Sequence, residues 1–286
     1  RQKSLEREIA IKTLLSKKSE AADLHRFLAE ARVTGYLDHP NIVPVHDLGV
    51  TAEGQVQMAM KLVGGTSWQK LIKKARIDNE QKEKKDKKES RERSLSEHLS
   101  ILLNVCNAIA YAHSKGIAHL DIKPENVMVG DFGEVLVMDW GIAVDFREPQ
   151  QRKDQVLRAE PRESVNGPFG TPSYMPPELA EGVGEKIGPW TDVYLLGAVL
   201  HEVLNGKPPH TGRSFLVVLL AACESRRPDF IAGVPDELQK ICIKALSPEP
   251  ADRQQSVSQF QQDIEAYLSH KESLKVSAGA HLLLAY

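Results

Sequence analysis

The chain has 286 residues, of which 41% are hydrophobic and 27% are charged, and its formal net charge is −2. This composition is typical of a globular protein with a sizeable core, and a charge so close to zero gives no support to bulk electrostatic binding of nucleic acid or anionic membrane. The three cysteines are odd in number and far apart in sequence, which indicates reduced thiols in the cytoplasm. The most apolar runs, 193–204 and 215–223, are shorter than the roughly 20 residues of a membrane-spanning helix.

The first part of the chain predicts a few strands and one helix. Residues 9–12 are short and apolar and predict a strand, and 42–48 and 56–63 predict two more strands around a turn at Ala52-Glu53-Gly54. Between them, apolar residues recur at helical spacing from Glu20 to Leu37.

A charged segment follows, from Lys73 to Arg93, and it is dominated by Lys, Glu, Arg and Asp. Such blocks are usually solvated helix or disorder. The favoured interpretation is a flexible insert, and the alternative is a docking surface.

The rest of the chain is predominantly helical in pattern. Leu95 to Lys115 predicts a strong amphipathic helix that ends at Gly116, and short strands are expected around Val127 and at 135–138. A long polar stretch from Val144 to Thr171 separates these strands from helical patterning that continues to the end.

The densest chemical motif is His119-Leu-Asp-Ile-Lys-Pro-Glu-Asn126, and Asp139-Trp-Gly141 follows it. Transfer of a phosphoryl group needs a carboxylate to orient the attacking hydroxyl, hard oxygen ligands for Mg²⁺, and cations for the phosphates. Asp121 is the candidate base, and Lys123 is placed to offset charge on the transferred phosphate. Asn126 and Asp139 supply oxygen ligands of the kind that Mg²⁺ prefers.

These residues resemble the catalytic loop and the metal-binding triplet of the protein kinase family. The Asp-x-Lys-Pro-x-Asn form is similar to the serine/threonine branch of the family, and the style of the motifs resembles bacterial kinases of the eukaryotic type. The resemblance covers about residues 9–267, nearly the whole chain. It implies a bilobal α+β fold with a small β-rich lobe and a large helical lobe.

Further matches imply where the nucleotide binds. Lys12 resembles the strand lysine that contacts the α- and β-phosphates of ATP, and Glu30 resembles its ion-pair partner. Met60 falls at the position that limits the depth of the adenine pocket. Backbone groups around Lys61 and Val63 are then expected to read the adenine.

Four residues resemble structural or substrate-facing positions of the family. Thr171, in Gly170-Thr-Pro-Ser-Tyr-Met-Pro-Pro-Glu178, resembles the threonine that helps to accept a Ser/Thr substrate at the end of the activation segment. Asp192 resembles the buried aspartate that braces the catalytic loop, and Arg253 resembles the arginine that pairs with Glu178.

The resemblance implies a division into three parts. Residues 1–63 form a partial small lobe and residues 64–268 the large lobe, which contains the charged insert at 73–94 and the activation segment at 139–178. Residues 269–286 form a helical extension. We interpret the chain as a piece of a longer protein.

The sequence departs from the family at three places. Lys12 is preceded by no glycine, and the first glycine is Gly35, so the glycine-rich loop is absent from the chain; we expect that it was truncated or omitted. Leu120 replaces the arginine that gathers a phosphate on the activation segment, and leucine cannot pair with phosphate. We therefore predict that activity does not depend on activation-segment phosphorylation. Trp140 replaces a phenylalanine, and its indole N–H needs a partner if it is buried.

The leading functional hypothesis is a protein serine/threonine kinase that uses ATP and Mg²⁺. Its expected partner is a protein with a Ser or Thr acceptor, without nucleic acid, and its expected location is the cytoplasm, including as the cytoplasmic part of a longer tethered protein. A pseudokinase that acts as a scaffold is the alternative, and a small-molecule kinase is a third hypothesis. Isolated histidines are expected to be structural: His113, His119, His201 and His210.

Overall fold

The computed structural model describes residues 6–14, 21–81, 84–152 and 159–283. They form two lobes, a small one built on a β-sheet and a large one built mainly of helices. The predicted bilobal α+β fold is therefore confirmed. Among the described residues, no helix combines the length and the apolar character that crossing a membrane requires.

The small lobe contains one antiparallel sheet in the order β1-β3-β2, with β1 at Ile9–Thr13, β2 at Val45–Val50 and β3 at Val56–Lys61. Helix α1, at Ala21–Tyr36, packs against the sheet. Their shared core is apolar and contains Phe27, Ala31, Val43, Met58 and Met60. The register pairs Lys12 with Met58, so the strand that carries Lys12 lies directly beside the strand that leads to the hinge.

The second strand begins three residues later than expected. Ile42 forms a bridge with Val137, and the Val43 N–H donates to the Val137 carbonyl at 3.1 Å. Pro44 follows and has no N–H to donate to a sheet. The segment before β2 therefore pairs with a strand of the large lobe and joins the two lobes at the back of the cleft.

The large lobe surrounds α6, whose residues are almost all buried. Its helices are α2 at Trp68–Gln81, α3 at Lys84–Ser114, α4 at Pro149–Arg152, α5 at Pro177–Glu181, α6 at Pro189–Asn205, α7 at Phe215–Glu224, α8 at Asp236–Ala245 and α9 at Val257–Leu283. Helix α9 runs without a break across the expected domain boundary after residue 268.

Short strands carry the chemical motifs at the edge of the large lobe. They are β4 at Thr66–Ser67, β5 at Ile117–Ala118, β6 at Val127–Val129, β7 at Val135–Val137, β8 at Val144–Asp145 and β9 at Glu160–Pro161. They form two small sheets, ordered β4-β6-β7 and β5-β8-β9. The motif loop 119–126 runs between β5 and β6, and Asp139 follows β7.

The described part of the charged segment is helical, one of the two forms that its composition predicts. Helix α2 continues to Gln81 and α3 begins at Lys84, while 82–83 lie outside the described residues. Lys, Glu and Arg have high helix propensity, and no Gly or Pro occurs between Trp68 and Lys115. Helix α3 therefore starts well before the expected position at Leu95.

Candidate active site

The loop from His119 to Asn126 is fixed from below by Asp192 of α6. One carboxylate oxygen of Asp192 accepts from the His119 N–H at 2.8 Å and the other from the Leu120 N–H at 2.9 Å. Leu120 has a φ of 65°, in the left-handed region that side chains rarely adopt, so the backbone here is held in a conformation it would not take alone. Asp192 thus performs the bracing that the sequence predicted for it.

The electrostatic setting of Asp192 favours its charged form. Burial opposes ionisation, but the hydrogen bond from His113 Nε2 at 2.7 Å, the neighbouring histidine rings and the backbone donor hold its pKa below the ordinary value. A carboxylate that accepts several hydrogen bonds remains charged even in a dry interior. His113 is therefore structural, as predicted, and acts through Asp192.

His119 lies under the loop and does not point at the cleft. Its Nδ1 accepts from the Asp121 N–H at 3.2 Å, and its Nε2 lies 3.2 Å from the Met138 carbonyl, a pattern that selects the tautomer protonated at Nε2. The ring packs 4.5 Å from that of Trp140, centroid to centroid. His119 therefore connects the catalytic loop to the segment that carries Asp139.

Asp121 is the centre of a compact polar cluster at the surface of the cleft. Its Oδ1 accepts from the Thr171 hydroxyl at 2.6 Å, and its Oδ2 accepts from Lys123 Nζ at 2.6 Å. Lys123 Nζ also donates to the Thr171 oxygen at 2.7 Å. A hydroxyl, an ammonium and a carboxylate thus meet at one point, the arrangement needed to orient an attacking hydroxyl and to receive its proton.

Asn126 completes the cluster. Its Nδ2 donates to the Asp121 carbonyl at 2.9 Å and to Asp121 Oδ2 at 3.1 Å. The amide oxygen therefore lies on the side of Asn126 away from Asp121, available as an oxygen ligand for a hard cation.

Lys12 and Glu30 form the predicted ion pair. Lys12 Nζ lies 2.6 Å from Glu30 Oε1 and 2.7 Å from Oε2, and the lysine side chain is 43% exposed while the glutamate is 9% exposed. Burial raises the pKa of Glu30, the hydrogen bond and charge of Lys12 oppose that rise, and the charge of Asp139 adds to it. Lys12 therefore offsets part of the effect of burial on the pKa of Glu30.

Asp139 lies close to this pair. A Cβ atom added to Gly141 would lie 3.3 Å from Asp139 Oδ1 and 3.4 Å from Glu30 Oε2, closer than ordinary contact. A glycine at 141 lets the two carboxylates approach each other across the backbone. Asp139 itself has a φ of 61°, a strained value that is common at functional sites.

Trp140 is buried, and within the described part of the chain its indole Nε1 has no hydrogen-bond partner. The ring packs in the core and against His119, whereas the partner that the indole would need is not found there. A buried donor without a partner costs about 1–3 kcal/mol, so the packing of the ring must offset that cost.

The hinge follows β3. Met60 is 8% exposed and packs in the core of the small lobe. The Lys61 N–H donates to the Pro44 carbonyl at 3.0 Å, which leaves this N–H engaged with protein. Val63 is half-buried against the same core.

Glu178 and Arg253 form a second, sealed ion pair. Arg253 Nη1 and Nη2 lie 2.7 and 2.9 Å from the two oxygens of Glu178, and the side chains are 0% and 1% exposed. Further donors of Arg253 reach the Ser247 and Pro248 carbonyls, both at 2.8 Å. This pair anchors the end of the activation segment and does not reach the cleft.

Two carboxylates near the substrate-facing loop were not found from the sequence. Glu202 of α6 is 3% exposed and accepts from the Tyr174 hydroxyl at 2.6 Å and from Gln69 Nε2 at 2.9 Å; burial raises its pKa. Glu148 of the activation segment lies 2.7 Å from Arg162. Neither occurs at a distinctive spacing, so no sequence signal identifies it.

The structure thus brings Asp121, Lys123, Asn126 and Thr171 into direct contact. Lys12, Glu30 and Asp139 form a neighbouring group. Within the described residues, no three His, Cys, Asp or Glu side chains converge as a ready metal site. A bilobal fold with these two groups at its cleft defines the class of enzyme that transfers a phosphoryl group from a nucleotide to a protein hydroxyl.

Comparison with known proteins agrees with this class. The protein kinase domain family matches residues 1–264. The chain is 32% identical over 273 residues to the serine/threonine-protein kinase PknD of Chlamydia pneumoniae, and the match covers 92% of this chain and 28% of the relative. PknD of Protochlamydia amoebophila is 32% identical over 277 residues, covering 92% and 27%.

A third relative, PknD of Chlamydia trachomatis serovar L2b, is 33% identical over 296 residues, covering 96% of this chain and 30% of the relative. The chain therefore spans less than a third of the length of these curated relatives. The chain belongs to the protein kinase domain family, and its relatives place it among bacterial kinases of the eukaryotic type.

Proposed function

We propose that this domain transfers the γ-phosphate of ATP to serine or threonine hydroxyls of a protein substrate. The observation that carries the proposal is the contact of Asp121 with both Thr171 and Lys123, at 2.6 Å each. Asp121 would receive the proton of the substrate hydroxyl, and Lys123 would neutralise charge that develops on the transferred group.

The nucleotide would lie between the lobes. Lys12, held by Glu30, would contact the α- and β-phosphates, and backbone groups around Lys61 and Val63 would read the adenine beside Met60. Asn126 and Asp139 fit a hard divalent cation because both offer oxygen atoms on the cleft side. When bound, Mg²⁺ would supply positive charge to the phosphates.

A serine or threonine acceptor is supported by Thr171. Its hydroxyl lies between the carboxylate of Asp121 and the ammonium of Lys123, which leaves a small, polar approach suited to a short aliphatic hydroxyl. The three bacterial relatives are named as serine/threonine-protein kinases, which supports the same specificity. A small-molecule kinase is disfavoured because the segment 170–178 resembles the part of a protein kinase that accepts a peptide hydroxyl.

The pseudokinase alternative is disfavoured by the geometry of the site. A scaffold needs no proton acceptor, yet Asp121 is bonded to three polar side chains at 2.6–3.1 Å. Nor does a scaffold need Lys12 and Glu30 paired at 2.6 Å beside Asp139.

The test is phosphoryl transfer by the full-length gene product, which is used because the chain contains no glycine before Gly35 to cover the phosphates. Radiolabelled ATP, Mg²⁺ and casein are supplied to the parent, Asp121→Asn and Lys12→Ala. Loss of the base is expected to lower kcat by about 10²–10⁴-fold. Asp78→Asn, an exposed carboxylate on α2, is the matched control and should retain full activity. An inactive parent, or equal transfer by all four proteins, overturns the proposal.

We also propose a cytoplasmic location. ATP is available there, and the three cysteines are free thiols, as expected in a reducing compartment. Fractionation of cells that express the tagged gene product tests this, and recovery of the domain on the outer surface would contradict it.

A further inference from the structure

The activation segment of this chain is folded back on itself. Its early part, β8, pairs in parallel with its late part, β9, with Val144 opposite Glu160 and Asp145 opposite Pro161. Residues 153–158, between the two parts, lie outside the described residues. Among the described residues, the sheet between the early and late parts is two residue pairs long.

Two ion pairs reinforce this contact. Arg162 Nη2, in the late part, lies 2.7 Å from Glu148 Oε1 in the early part, and Arg152 Nη2, in the early part, lies 2.6 Å from Glu163 Oε1 in the late part. The pairs are crossed: the arginine of one pair lies in the late part, and the arginine of the other lies in the early part. The arginine side chains are 15% and 9% exposed, whereas Glu148 and Glu163 are 60% and 38% exposed.

Arg162 makes a third connection. Its Nη1 donates to the Ile187 carbonyl at 3.0 Å, in the loop between α5 and α6. Ile187 is fully buried in the same apolar cluster as Leu120 and Val165. The guanidinium of Arg162 thus joins both parts of the activation segment to the body of the large lobe.

Leu120 is the reason why the activation segment needs these ion pairs. It is 0% exposed and packs in that apolar cluster, at the place where the family resemblance implies an arginine for a phosphate. A buried leucine offers no charge to a phosphorylated segment. Other charged groups must therefore hold the segment in place.

We propose that the two crossed ion pairs, Arg162–Glu148 and Arg152–Glu163, hold the activation segment in the conformation that presents Thr171 to Asp121. Arg162 and Glu148 are positioning residues in this account. They act through residues 165–171, which run from the buried Val165 to the hydroxyl of Thr171 2.6 Å from Asp121. The inference rests on the proposed kinase activity and names how its substrate-accepting surface is kept in place.

Charge supports the geometry. The hydrogen bond from Arg152 lowers the pKa of Glu163, with the nearby charge of Arg162 contributing, so this carboxylate stays ionised at neutral pH. The arginines are largely enclosed while the carboxylates reach solvent, so the two pairs add to the short sheet in holding the segment.

The test uses the full-length gene product with Arg162→Glu, Glu148→Arg and the double variant. Each single variant places like charges together and is expected to lower kcat/KM for the protein substrate roughly tenfold, while the KM for ATP stays unchanged. The double variant restores an opposite pair and should recover most of the loss. The exchange restores neither the hydrogen bond to the Ile187 carbonyl nor the contact of Arg162 Nε with Glu163 at 3.7 Å, so full recovery is not expected.

Two controls separate a positioning effect from general unfolding. Arg162→Lys keeps the charge but has one nitrogen for the partners of two, so it should lose less activity than Arg162→Glu. Arg227→Glu, at an exposed arginine far along the chain, should lose none. Thermal unfolding of all variants is measured in parallel and should stay close to the parent.

The outcomes are distinct. An inactive parent would overturn the proposed function and this inference together. An active parent with unimpaired single variants, a double variant no better than the single ones, or an equal rise in the KM for ATP would each overturn the inference and leave the proposed function standing.

Discussion

Two ion pairs of this domain use the same chemistry in opposite settings. Lys12–Glu30 lies in the cleft with its lysine 43% exposed, whereas Glu178–Arg253 lies within the large lobe with both side chains at 0–1% exposure. Lys12 has Glu30 as its partner on one side and the open cleft on the other. Arg253 gives its donors to Glu178 and to backbone carbonyls.

The difference shows how exposure divides function from structure. A cation that must also bind a ligand has to keep part of its surface accessible, so its protein partner contributes little to stability. A cation that is fully enclosed cannot exchange partners, and losing one member leaves an uncompensated charge. The first pair should therefore affect ligand binding and the second should affect folding.

The largest expected effect is the loss of stability when the buried pair Glu178–Arg253 is broken. Arg253→Met should lower the free energy of unfolding by about 3–5 kcal/mol, because the Glu178 carboxylate stays buried without its partner. Denaturant unfolding of the parent and variant measures this. The double variant Glu178→Leu/Arg253→Met should recover part of the loss, and Arg227→Met is the exposed control. A loss below about 1 kcal/mol, as for a surface pair, would remove the contrast between the two pairs.

Breaking the cleft pair Lys12–Glu30 should affect ligand binding more than stability. Lys12→Met is expected to weaken binding of Mg²⁺–ATP to the full-length gene product roughly 10–100-fold, because hydrogen bonds from a charged donor are lost. Its free energy of unfolding should change by less than about 1 kcal/mol. Calorimetric titration measures the nucleotide affinity, and denaturant unfolding measures the free energy of unfolding. Strong destabilisation with unchanged nucleotide affinity would show that Lys12 is structural.

Burial should also affect stability at His98, a base that is neutral in the folded chain. His98 Nδ1 accepts from the Trp68 indole N–H at 3.0 Å, and burial lowers the pKa of His98 to about 4 from 6.5. Between these values the unfolded chain binds a proton that the folded chain does not, so stability falls as pH drops from 6.5 to 4. The expected contribution is on the order of 1–3 kcal/mol.

Unfolding at pH 7 and pH 5 measures this dependence. His98→Asn keeps an acceptor for Trp68 and should flatten it, while His25→Asn, at a 61% exposed side chain, should leave it unchanged. An equal pH dependence in the parent and in His98→Asn would contradict the assignment.

The smallest expected effect is that of phosphate removal. Dephosphorylation of the active full-length gene product should leave kcat unchanged, because Leu120 cannot pair with a phosphate. Mass spectrometry confirms that the phosphate is gone, and Ser164→Ala serves as a non-phosphorylatable control at an exposed hydroxyl. Activity that disappears on dephosphorylation and returns on rephosphorylation would show that the segment is phosphate-gated.

The catalytic loop was predictable because its chemistry is local. Asp121, Lys123 and Asn126 lie within six residues, and a short loop between two strands brings their side chains together. Asp139 follows at a short interval after β7, whereas Thr171 reaches Asp121 from fifty residues away. The bilobal fold and the family followed from the same motifs.

The tertiary structure alone decided the contacts between distant segments. Arg162 meets Glu148 and the Ile187 carbonyl, and Tyr174 meets Glu202, through packing that no local spacing encodes. The charged segment 73–94 is also in this class, since its composition fits disorder and solvated helix equally. Composition and spacing therefore determined which groups can do the chemistry, and packing determined which of them are enclosed, which are exposed, and what holds the substrate-accepting segment in place.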